Sequence, residues 1–70
     1  MITKLCCAKQ GSSCKVILVE GKDRNRLAEL GFNKGTIVKV IKHNPILINV
    51  KDSQIALRHI EAESIIVEIK

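Results

Sequence analysis

Three cysteines, two histidines and a scatter of lysines are the residues of this chain whose chemistry reaches beyond packing. Cys6, Cys7 and Cys14 could offer soft thiolates, and His43 or His59 an imidazole, to Zn²⁺ or iron. The spacing argues against a metal site. There is no Cys-x-x-Cys pair, adjacent cysteines diverge in an extended chain, and each histidine is isolated. Cys14 falls in an alternating apolar run and reads as a small buried hydrophobe. Ferrous iron would more naturally use carboxylate and imidazole, and no such cluster is present. No nucleophile–base pair or carboxylate pair supports catalysis, so neither an enzyme nor a cofactor is implied.

Two further sets of side chains remain. Arg58 and Glu61 stand just before the last apolar run, where an Arg paired with a carboxylate or with carbonyls braces a turn. Lys34, Lys39, Lys42, His43 and Lys51 make the middle of the chain basic. Lys39 is out of phase with Val38 and Val40 and therefore faces solvent. Such a face suits an acidic partner or RNA. Readers of single-stranded nucleic acid add aromatic stacking platforms. The only aromatic residue here is Phe32, so protein binding ranks above a nucleic-acid role. Leu27, Leu30 and Phe32 belong mainly to a core, or in part to an apolar groove between a helix and a sheet that a partner helix could enter.

The elements that must position these residues are short. Residues 1–11 hold Leu5 and the cysteine pair, then a loop ending at Gly11. Ser12 to Glu20 read as a first strand, with Cys14, Val16 and Leu18 on one face. Asp23 is placed to cap a small helix containing Leu27 and Leu30. Gly31 sits where a helix end favours positive φ, and Phe32 folds back onto the last turn. Asn33-Lys34-Gly35-Thr36 is a turn. Ile37 to Lys42 form a second strand, rich in β-branched residues. His43-Asn44-Pro45 interrupts it, because Pro cannot donate to a ladder. Ile46 to Val50 is a third strand, Lys51-Asp52-Ser53 a hairpin connection, and Gln54 to Leu57 a fourth strand. Arg58 to Glu63 form a helical or 3₁₀ turn, and Ser64 to Ile69 the last strand. The pattern predicts a mostly β fold over a single domain, residues 1–70. It is a small SH3-like β-barrel with one short helix and a 3₁₀ turn before the last strand. Closing the sheet would remove its exposed edges.

Composition bounds the rest. A chain of 70 residues buries only about 60% of its unfolded surface, so its margin of stability is thin. The net charge is +5, and it is uneven. Residues 1–51 carry ten Lys/Arg against three acids, whereas residues 52–70 carry two against four. No apolar run is long enough to span a membrane. Three cysteines without a secretory signal fit reduced thiols in the cytoplasm.

The residues also resemble a known family. Arg26-Leu27, Leu30-Gly31-Phe32, Gly35-Thr36, Val38 and Val40 begin the pattern. It continues through Pro45, Ile48, Val50, Leu57-Arg58, Glu61-Ala62, Ile65 and Val67, with Leu5 and Gly11 in the lead-in. In this order and spacing they resemble the FeoA family of bacterial ferrous-iron uptake. One departure is the direct passage from Pro45 to Ile46-Leu47-Ile48, where many members carry an insertion. The resemblance implies an SH3-like barrel that serves as a regulator of a FeoB-type transporter through its cytosolic, GTPase-containing part. Leu27, Leu30, Lys34, Lys39 and Lys42 are the residues expected to meet that partner. The alternatives are a small basic nucleic-acid-binding module and a thiol-based metal sensor using Cys6, Cys7 or Cys14.

Overall fold

The computed structural model describes residues 1–43 and 45–70. Asn44, in the expected break around Pro45, lies outside them. Among the described residues, six antiparallel strands carry the fold: β1 (Ile2–Lys4), β2 (Ser13–Val19), β3 (Ile37–His43), β4 (Ile46–Val50), β5 (Ser53–Leu57) and β6 (Ile65–Ile69). Helix α1 covers Arg24–Glu29 and α2 covers His59–Glu63. A 3₁₀ turn covers Leu5–Cys7.

The strands line up in the order β1-β6-β2-β3-β4-β5. Val38, Val40, Ile48, Val50, Val16 and Val67 alternate with more exposed neighbours and turn inward to meet Leu5, Leu27 and Phe32. The small branched side chains fit the concave face of a strongly twisted sheet.

Four expectations change. First, the barrel is not closed: β1 and β5 are edges that do not pair with each other. The chain beyond β5 winds into α2, the chain beyond β1 winds into the 3₁₀ turn, and these two segments pack together. Second, residues 2–7 are structured, as β1 and the 3₁₀ turn. Ile2, Thr3 and Lys4 pair with Glu68, Val67 and Ile66, and Leu5 is fully buried. Third, the segment before β6 is an α-helix, α2, so there are two short helices and the 3₁₀ turn lies near the N-terminus. Fourth, Leu18 does not follow Cys14 and Val16 inward. The pairing of β2 with β6 shifts register between Val16 and Leu18. An extra residue at such a bulge reverses the side-chain alternation after it. Val19 therefore packs against the core while Leu18 is 50% exposed. A second bulge, between Val40 and Lys42 in β3, adds to the curl of the sheet.

Candidate functional site

Helix α1 has only six residues, too few to persist alone, so its ends and its docking decide its position. Asp23 is the N-cap residue, but its carboxylate makes no capping bond. The C-terminal end does more. Gly31 at φ +111° lets its N–H reach the Ala28 carbonyl (3.0 Å), and the Phe32 N–H reaches back to the Leu27 carbonyl (3.0 Å). This pair of bonds is a Schellman cap, with Phe32 and Leu27 as its apolar contact. Both side chains are fully buried.

Between α1 and β2 lies an open cleft of about 250 Å³. Leu18 and Val19 form one wall, Ala28 and Arg24 the other, Phe32 the floor, and Lys34 the rim. Of Leu27, Leu30 and Phe32, which the sequence placed in the core or in a groove between helix and sheet, only Phe32 lines this cleft. The expected partner residues distribute around it unequally. Leu27 is core and Leu30 is partly buried beneath the helix, while Lys34, Lys39 and Lys42 are all exposed. Lys34 alone of the three lines the cleft. Lys39 faces Asn49, and Lys42 faces Leu47, on the β3–β4 ladder. Leu18 was not anticipated on this surface. Its only trace in the sequence is the unbroken run Val16-Ile17-Leu18-Val19, which a strict alternation does not allow.

The two helices are tied by charge. The Arg58 N–H donates to Glu61 Oε1 (2.9 Å), the reciprocal half of a capping box at the start of α2. Glu61 is only 2% exposed. The other carboxylate oxygen is paired with the Arg26 guanidinium of α1. The expected Arg58–Glu61 brace is therefore made by the Arg58 backbone rather than by its side chain. Arg58 Nε lies 3.9 Å from the carboxylate on a largely exposed side chain, where such pairs contribute little.

The thiols and imidazoles fall into separate places. Cys14 is buried, and that burial pushes its thiol up, partly offset by the Ser12 hydroxyl. The expected divergence of Cys6 and Cys7 is not found: in the 3₁₀ turn their Sγ atoms converge to 3.8 Å. His43 Nε2 donates to the Ala8 carbonyl (2.5 Å), and His59 Nε2 lies 3.0 Å from Glu63 Oε1. Among the described residues, no three His, Cys, Asp or Glu side chains form a group that could hold a metal ion. None of their helices is long and apolar enough to cross a membrane.

A family description, the FeoA domain, matches residues 3–69. Among solved structures, the Chlorobium tepidum FeoA protein is 33% identical with a TM-score of 0.87, covering 96% of this chain and 70% of its own. The Stenotrophomonas maltophilia FeoA, a prokaryotic SH3 domain protein solved in complex with zinc, is 29% identical with a TM-score of 0.87. There the match covers 94% of this chain and 89% of that one. An iron uptake regulatory protein, also a FeoA, shares the fold at a TM-score of 0.93 and 23% identity, over 100% of this chain and 99% of its own. No curated protein matches the sequence.

Proposed function

The chain belongs to the FeoA family, which is associated with ferrous-iron transport, and from that premise we propose that it is a non-enzymatic cytoplasmic accessory of ferrous-iron uptake. Its partner is the cytosolic, GTPase-containing part of a FeoB-type transporter. The observation that supports this reading is the α1–β2 cleft, which joins exposed apolar surface at Leu18 to the basic rim residue Lys34. An apolar centre with a charged rim is the anatomy of a protein-docking surface. Lys39 and Lys42 extend the positive field along β3 and steer an acidic partner. Leu27 and Leu30 act from beneath, holding α1 in place. The sole Phe, Tyr or Trp ring, Phe32, is fully buried, so no such ring stands on the surface as a stacking platform for a base.

The test is an NMR titration of the isotope-labelled chain with the FeoB cytosolic domain, with a random-sequence oligonucleotide as comparison. Saturable shifts confined to the cleft and β3, weakened at least tenfold by Lys34→Glu with Lys39→Glu, are expected. Affinity unchanged in that double variant, or shifts with the oligonucleotide alone, would overturn the assignment.

A further inference from the structure

Cys6 and Cys7 end the 3₁₀ turn, and the turn is what brings their thiols together. In an extended strand adjacent side chains point to opposite faces. At three residues per turn they are separated by only about 120° around the axis. The turn is fixed on both sides: Leu5 and Ala8 are fully buried, and the Ala8 N–H closes onto the Leu5 carbonyl (3.1 Å). The resulting Sγ–Sγ separation of 3.8 Å has a chemical meaning. Two thiolates on a tetrahedral ion, with bonds of about 2.3 Å, stand about 3.8 Å apart, whereas a linear pair would need about 4.6 Å.

We propose that Cys6 and Cys7 form an open two-thiolate chelate for a soft cation with tetrahedral preference, of the Zn²⁺ or Cd²⁺ class. Cys7 is exposed and borders a depression of about 330 Å³ lined also by Met1, Lys9, Ser12 and Ile69, so solvent ligands can reach the ion from its side. Among the described residues no third donor of the usual kinds completes the site, so water or an exogenous ligand fills the open positions. Cys14 takes no part, because it is buried in the core.

The full-length, reduced, metal-free chain would be titrated with Cd²⁺. Ultraviolet charge-transfer absorption reports thiolate ligation, and a thiol reagent counts the protected cysteines. One Cd²⁺ per chain is expected, with Cys6 and Cys7 protected, Cys14 contributing nothing and Zn²⁺ displacing the probe. The band should be lost in Cys7→Ser and kept in Cys14→Ser. Cys7 is exposed, so its replacement leaves the fold intact and decides the matter without Cys6→Ser. A band retained in Cys7→Ser, a requirement for Cys14, or one ion per two chains would overturn the chelate.

Discussion

At the scale of single residues, Gly31 and Cys14 show how a side chain's absence or burial sets stability. Gly31 holds φ +111°, and a Cβ there would stand 2.9 Å from Val50 Cγ1. Gly31→Ala should cost about 2–4 kcal/mol, from the left-handed backbone and the overlap together. At roughly 4–8 °C per kcal/mol for a domain this small, a thermal melt resolves it easily. Gly35 has φ +91° but open space around it, so Gly35→Ala should cost only the backbone part, about 1–2 kcal/mol. A loss as large at Gly35 as at Gly31 would show that the Val50 contact is not what constrains the cap. For Cys14, burial raises the thiol above its ordinary 9.0. The folded chain then holds that proton more tightly than the unfolded one. The resulting stability is fully present below about pH 9 and is lost as pH rises through the folded value. Urea midpoints should decline above pH 9, less steeply in Cys14→Ala; equal slopes would refute the linkage.

At the scale of elements, the two helices depend on each other through one buried carboxylate. Arg26→Ala leaves Glu61 buried with the Arg58 N–H as its hydrogen bond and only the distant, exposed Arg58 guanidinium as counter-charge. Removing one side of a fully buried pair costs about 3–5 kcal/mol. Arg26 is 53% exposed, so about 1–3 kcal/mol is the expected loss. Glu61→Gln keeps an acceptor for the Arg58 N–H and should lose less. An Arg26→Ala chain as stable as the parent would show that solvent already neutralises Glu61. This pair also marks how far the sequence reaches. Local signals were legible: the Gly31–Phe32 cap, the hairpin at Lys51-Asp52 and the β-branched strands each follow from neighbours a few residues apart. The Arg26–Glu61 link spans half of the chain and leaves no periodic trace. The bulge at Val16–Leu18 leaves only the unbroken apolar run Val16-Ile17-Leu18-Val19 as a trace, because it is set by pairing with β6. The convergence of Cys6 and Cys7 was hidden because adjacent cysteines diverge in an extended chain, whereas here they end a 3₁₀ turn anchored by Leu5. Of the candidate surface, the helix side was therefore readable and the Leu18 wall was not.

At the scale of the whole molecule, the positive field and the open sheet act together. The lysines of β3 lie on the convex side while the core is concave, so the basic face is separated from the packing that holds the fold. Binding to an acidic partner should weaken from 50 to 200 mM salt, through slower association more than faster release; a salt-independent on-rate would remove steering from the account. The sheet has a further consequence through its first and last strands. Ile2 stands opposite Glu68, and the Ile69 N–H donates to the Met1 carbonyl at 2.9 Å. The two ends of the chain thus leave the same corner as neighbours. Joining them with a few residues costs little loop entropy, and new ends can be cut at Lys51-Asp52, an exposed hairpin. Such a circular permutant should fold with its cleft unchanged, and the same geometry lets the unit be spliced into a host loop as a cassette, entering and leaving through one doorway.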